Sequence, residues 1–198
     1  MIAELVSMQP KYILDVATGT GDVAINTIKQ LKIKDLRIVG LDISPEMLNI
    51  GKKKIVTEGM SGTIEMMVGD SENLPFENNK FDAITVAYGV RNFENLEQGL
   101  SEMLRVLKPN GKLVILEFSK PNSFPFKQLF NFYFKNILPS IGKLTSKDNR
   151  AYAYLYESVQ SFPDGTDFLN VLSKTGFKNT QCTPLTLGIS SIYTAYKT

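Results

Sequence analysis

From Tyr12 to Phe118, short β-rich runs alternate with amphipathic helical stretches, and that alternation leaves few folds open. Strand, helix and strand in succession give parallel strands with helices packed on both faces of the sheet. Tyr12–Ala17 is the first run, and Asp22–Lys32 follows with Ile25, Ile28 and Leu31 at helical spacing. Arg37–Ile43 reads as strand two. Ser44-Pro45-Glu46 then opens a helix with a Ser N-cap, Pro at the first helical position and an acid in the first turn. That helix runs to Glu58 and stops at Gly59. Ile64–Val68 and Phe81–Val90 read as strands three and four. Asn95–Leu107 carries Leu96, Leu100, Met103, Leu104 and Leu107 on one helical face, and Pro109-Asn110-Gly111 reads as a turn before strand five, Lys112–Phe118.

The alternation then pauses. Phe124–Leu138 is aromatic on nearly every side, and Ala151–Phe162 is a second helical stretch carrying Tyr152, Tyr154 and Tyr156. Thr166–Lys174 reads as a helix ending at Gly176, and Lys178–Pro184 with Gly188–Tyr196 as a closing hairpin. A chain of 198 residues suits a single domain over 1–198, here with a helical insertion over 121–162 after strand five. A net charge of +2 argues against bulk duplex nucleic acid as a partner. The chain has no histidine, which removes Ser-His-Asp and Cys-His catalysis and histidine-based metal sites. No metal is expected, and a general base must be Asp, Glu, Tyr, Lys or a water held by one of them. The lone Cys182 fits a reducing, cytoplasmic setting. Met1–Pro10 has no signal-peptide pattern, and the longest uncharged run, Asn179–Tyr196, is broken by Pro184 and Gly188 and reads as strands.

Asp15-Val16-Ala17-Thr18-Gly19-Thr20-Gly21-Asp22 joins strand one to the first helix. Its glycines let a ligand approach the backbone, and Asp42 at the end of strand two can accept from both hydroxyls of a ribose. Gly19-x-Gly21-x-x-Ala24 with Asp42 is also close to the dinucleotide fingerprint, so these two features leave the cofactor open. Asp22 tilts the balance, because a carboxylate in the first helical turn repels a pyrophosphate. S-adenosylmethionine has no phosphate and carries a sulfonium and an ammonium, which Asp15 and Asp22 suit better. Asp22 can equally serve only the helix macrodipole. Asp70 and Ser71, after strand three, could meet an adenine, or could simply cap a turn. All three acidic signals fall at the carboxyl ends of strands, where open α/β sheets bind ligands.

Asp15–Asp22, Gly40–Leu48 and Gly69–Phe76 resemble successive motifs of class I methyltransferases, a Rossmann-like three-layer sandwich with a mostly parallel seven-stranded sheet and a C-terminal antiparallel hairpin. More narrowly, Gly89-Val90-Arg91-Asn92, Arg105–Ser119, Tyr152–Ser158 and Phe162-Pro163 resemble the ubiquinone/menaquinone biosynthesis C-methyltransferase family, so the likeness covers essentially the whole chain. Asn110 stands where that family usually has Gly, and Asn tolerates the same left-handed turn. The family also has a longer N-terminal segment. Residues 1–11 are read as the tail of such a segment, truncated in this chain. By resemblance, Gly19 and Thr20 contact the methionine part of S-adenosylmethionine, Asp42 the ribose, and Asp70 with Ser71 the adenine. Ala87 lines the meeting point of donor and acceptor.

The resemblance implies C-methylation of a lipophilic polyprenyl quinol, with demethylmenaquinol as the expected acceptor. A ring carbon becomes nucleophilic when a neighbouring hydroxyl gains oxyanion character, so the site needs a base or a cation. Arg91 is the leading catalytic candidate, always protonated and so a stabiliser instead of a proton acceptor; Asn92 could position a water. Tyr154 and Glu117 are weaker candidates. Phe124–Leu138 fits a lid over an isoprenoid tail that touches the inner face of a membrane, and equally a buried or homodimer-forming helix; a contiguous exposed aromatic patch separates the two. Three rival readings stay open. They are a base methylase, disfavoured by Ala87–Asn92 in place of an Asn/Asp-Pro-Pro-aromatic motif, a dinucleotide-dependent oxidoreductase, and an inactive binding module.

Overall fold

The structure, a computed structural model, describes residues 1–121, 124–132 and 149–198. Seven strands form one sheet in the order β3-β2-β1-β4-β5-β7-β6. They are β1 (Tyr12–Val16), β2 (Arg37–Asp42), β3 (Ile64–Val68), β4 (Phe81–Ala87), β5 (Leu107–Phe118), β6 (Lys178–Leu185) and β7 (Ser190–Tyr196). The first five pair in parallel, while β7 pairs antiparallel with both β5 and β6. The helices are α1 (Asp22–Leu31), α2 (Pro45–Thr57), α3 (Leu96–Val106), α4 (Phe126–Phe132), α5 (Asn149–Ser161) and α6 (Thr166–Thr175).

The apolar runs are continuous because the strands are covered on both faces, and alternate side chains enter two different cores. Leu14, Val39, Ile84 and Ile115 pack with Leu100 and Met103 of α3 and Phe168 and Leu172 of α6. Their sequence neighbours Ile13, Ile38, Ala83 and Val114 pack on the opposite face with Ala24 and Ile25 of α1 and Leu48 and Ile55 of α2. The N-terminal residues join the second core: Ile2–Met8 forms a 3-10 helix whose Leu5 is fully buried.

Three local signals work as read. Ser44 caps α2 by accepting from the Met47 N–H, with Pro45 at the first helical position. Asn95 caps α3 through Gln98 N–H, and Gly176 ends α6 with φ 115°. Two boundaries differ. Strand four ends at Ala87, not Val90, because Tyr88 turns the chain with φ 56° into a 3-10 turn at Val90–Asn92. Strand five begins at Leu107. Pro109-Asn110-Gly111 is a bulge within it, where pairing jumps from Phe81↔Leu107 to Ala83↔Lys112. Asn110 takes φ 62° there, and its N–H donates to Lys197 O at 2.7 Å. Within the aromatic stretch, Phe126–Phe132 is helical; residues 133–138 and the Tyr152 side chain lie outside what the structure describes.

The chain winds from β1 outward through β2 and β3, then returns to place β4 on the other side of β1. The connections that leave the carboxyl ends of β1 and β4 therefore lead to opposite faces of the sheet, at a topological switch point. The candidate site lies there.

Candidate active site

The glycine loop is held from below. Asp15, 1% exposed, accepts from Thr18 Oγ1 at 2.5 Å and from Thr85 Oγ1 at 2.6 Å, so one carboxylate ties the loop to β4. Gly19 and Gly21 take φ 57° and 76°, which explains their residue type. Three of the loop's N–H groups are spent internally. Thr18 N–H donates to Leu41 O, Gly21 N–H to Thr18 O, and Gly19 N–H to Asp42 Oδ2 at 2.7 Å. A pyrophosphate cradle needs those donors free.

Burial pushes the Asp15 carboxyl up to about 6, against the pull of its two hydroxyl donors. Between the ordinary 3.8 and about 6 the folded protein holds a proton that the unfolded chain has lost, so stability falls as pH rises through that window. Above it, the ionised carboxyl costs on the order of 3 kcal/mol. Asp15→Asn removes this slope, since one threonine hydroxyl can still donate to the amide oxygen while the other rotates to accept from the amide nitrogen. Urea denaturation at half-unit steps should show wild type losing stability relative to the variant as pH rises. A difference that stays flat with pH would exclude the shift.

Above the loop opens a cleft of about 360 Å³, lined by Ala17, Leu41, Asp42, Ile43, Gly69, Asp70, Ser71, Glu72, Gly89, Asn92, Phe93 and Glu94. Among them Asp42 has its Oδ2 accepting from Gly19 N–H and its Oδ1 from Ser44 N–H at 2.9 Å. Each oxygen keeps a lone pair for a ligand hydroxyl. Gly89 lets the two strand ends approach closely, because a Cβ there would meet Ala17 Cβ at 2.6 Å. The charged lining side chains are all acidic: Asp42, Asp70, Glu72 and Glu94.

Asp42, Asp70 and Ser71 line the cleft, and Gly19 touches it through its bond to Asp42. Asp15 lies buried beneath it. Ala87 ends β4 without lining it; Ala17 and Gly89 take that place. Thr20 and Asp22 face α2 instead. Lys54 Nζ reaches Asp22 Oδ2 at 2.9 Å and Thr20 Oγ1 at 2.8 Å, and Thr20 Oγ1 donates to Asp22 at 2.6 Å. The hydrogen bond from Lys54, then that from Thr20, holds the Asp22 carboxyl below its ordinary value. Its charge is answered by Lys54 at the surface, and Asp22 is not among the residues lining the cleft. The acids that do reach the cleft beyond Asp42 and Asp70 are Glu72 and Glu94, both on loops after strand ends, and that position was the only signal for them in the sequence.

Arg91 and Asn92 share the 3-10 turn Val90–Asn92, but Arg91 is not among the residues lining the cleft. Asn92 lines the cleft and accepts from the Tyr154 hydroxyl of α5 at 3.0 Å. Arg91 pairs with Glu117 across 2.9 Å, with side chains 11% and 0% exposed, and stacks over Phe118 at 5.3 Å. Among the described residues, no group of three or more His, Cys, Asp or Glu side chains is placed to hold a metal ion.

Residues 2–197 match the profile of the ubiE/COQ5 methyltransferase family. A demethylmenaquinone methyltransferase of Bacteroides fragilis is 50% identical over 189 residues, 96% of this chain and 76% of that protein. A ubiquinone/menaquinone biosynthesis C-methyltransferase of Geotalea daltonii is 49% identical over 185 residues, 93% of this chain and 78% of that one. Among solved structures, a SAM-dependent methyltransferase of Aquifex aeolicus aligns over 100% of this chain and 89% of its own, with TM-score 0.70 and 17% identity, a likeness of fold.

Proposed function

The chain belongs to the ubiE/COQ5 methyltransferase family, and on that premise we propose that it C-methylates the ring of demethylmenaquinol, using S-adenosylmethionine. The acid-only lining of the cleft carries the cofactor assignment. Four carboxylates and no cation suit a sulfonium and an ammonium and repel a diphosphate, and the loop's committed N–H groups argue the same way. Asp42 would hold the ribose, and Asp70 with Ser71 the adenine. Ala17 and Gly89, where the strand ends come closest, would leave room for the transferred group.

S-adenosylmethionine, when bound, supplies an electrophilic methyl group on a cationic sulfur. The protein's part is to align the acceptor, exclude water and stabilise charge on the ring oxygen. A carbon–carbon bond forms as the carbon–sulfur bond breaks, and the ring loses one proton to solvent. Arg91 would stabilise the quinol oxyanion, and Asn92 would orient the acceptor or a water at the cleft wall. Helices α4 and α5, within the 121–162 insertion, would cap the acceptor, with Tyr154 joining that cap to the wall. Phe124 and Phe132, 81% and 59% exposed, together with Leu187 at 63%, support contact with the membrane surface where such an acceptor resides. Among the described residues no helix is long and apolar enough to cross a membrane.

The test is turnover of reduced demethylmenaquinone with S-adenosylmethionine, read by mass of the product, beside calorimetry with S-adenosylmethionine and NADH. A product heavier by one methylene and heat only from the sulfonium compound are expected. Binding of NADH without methyl transfer would overturn the proposal in favour of an oxidoreductase.

A further inference from the structure

Glu117, next to last in β5, has none of its surface exposed, and the reaction outlined above makes no use of it. Its Oε1 accepts from Arg91 Nη1 at 2.9 Å and from Phe118 N–H at 2.9 Å; its Oε2 accepts from Arg91 N–H at 3.3 Å. One carboxylate thus grips both the main chain and the side chain of Arg91. Tyr88 O takes a second bond from Nη1 at 2.5 Å, and the Phe118 ring supports the guanidinium from one side. Tyr88 in turn packs on Phe118 at 4.6 Å and bonds through its hydroxyl to Ser190. Arg91 is fixed from several directions.

This arrangement is costly as a stabilising device. Burial pushes the Glu117 carboxyl up, opposed chiefly by the Arg91 charge. A buried ion pair is often no better for stability than apolar side chains of the same volume. Arg91 Nε is also buried and has no partner among the described residues. An unsatisfied buried donor adds to that cost.

We propose that Glu117 is a positioning residue for methyl transfer, fixing Arg91 and the Val90–Asn92 turn so that the guanidinium holds one orientation toward the acceptor's ring oxygen. The proposal rests on the reading of Arg91 as the oxyanion stabiliser. Glu117 does not meet the substrate itself, so its effect must pass through Arg91.

The experiment is a cycle of Glu117→Gln, Arg91→Gln and the double variant, each measured for kcat, for KM of both substrates and for calorimetric affinity toward S-adenosylmethionine. Each single change should lower kcat by about 100-fold while donor affinity stays within about threefold, and the double variant should be no slower than Arg91→Gln alone. If Glu117→Gln does not fold, Glu117→Asp keeps the charge but draws it back by one methylene, and should still lower kcat about tenfold. A Glu117 variant with wild-type kcat, beside a slow Arg91→Gln, overturns the positioning role and leaves the reading of Arg91 intact. Wild-type kcat in Arg91→Gln overturns both. Losses that multiply in the double variant show independent action and overturn the proposal.

Discussion

Asp42→Ala should weaken the affinity for S-adenosylmethionine by about 100-fold, the loss of two charge-assisted hydrogen bonds of about 1.5 kcal/mol each. The effect has two sources in the structure. Each Asp42 oxygen can take a ribose hydroxyl from the cleft side, and the same two oxygens fix the Gly19 and Ser44 N–H groups from behind. Alanine removes the ligand contact and also frees the Gly19 N–H, loosening the bend that shapes the floor. Asp42→Asn should fall between wild type and Asp42→Ala, because one end of the amide would present a donor to a backbone donor. Calorimetric titration of each variant reads the effect. An Asp42→Ala affinity within about threefold of wild type would remove this carboxylate from the donor site.

Arg105→Ala should cost about 3 kcal/mol of stability, and lower Tm by about 10 °C for a chain of this size. Arg105 donates from Nε to Glu102 at 2.7 Å, from Nη1 to Phe76 O at 2.6 Å and Asn78 at 3.0 Å, and from Nη2 to Leu74 O at 2.9 Å and Glu102 at 2.6 Å. Glu102 adds a bond from Leu74 N–H at 2.9 Å. The pair clamps residues 74–78, the continuation of the loop that carries Asp70, Ser71 and Glu72 into the cleft. With 32% of the arginine and 14% of the glutamate side chain exposed, the Coulombic share is partly screened, and the committed carbonyls supply much of the effect. Arg105→Lys should recover little, since an ammonium cannot reproduce the guanidinium fork. Denaturation of the two variants side by side measures this. A lysine variant as stable as wild type would show that charge alone matters.

Arg105 was visible in the sequence as part of a motif, yet its task was not, because its partners on the β3–β4 loop are brought to it by folding. The same limit governs the glycine loop. Its position between β1 and α1 was legible from composition and spacing, as were the Ser44 cap and the Gly176 stop, since those depend on neighbours a few residues apart. Asp22 was assigned to the cofactor because local sequence places it in the first helical turn. Lys54 lies one helix later in the chain, and only the packing of α2 beside the loop brings the ammonium to that acid. Asp15 was read as a cofactor acid for a similar reason. At the end of a strand an acid can point up to the ligand or down to the loop's support, and Thr18 and Thr85 settle it downward. The Pro109–Gly111 bulge escaped notice because a turn and a bulge use the same residue types, and pairing with Lys197 distinguishes them. Glu72 and Glu94 line the cleft, and Asp15 and Asp22 do not.

On the proposed reading of the cleft and of α5, the hydrogen bond between Tyr154 and Asn92 would make one side chain common to two surfaces, the donor's wall and the underside of the acceptor's cover. Whatever free energy either ligand spends on ordering Asn92 is free energy the other need not spend. The two affinities would then be linked, and linkage is symmetric: the factor by which one ligand tightens the other is returned unchanged. A reactive methyl donor would accordingly be held most firmly when a ring is present to receive it.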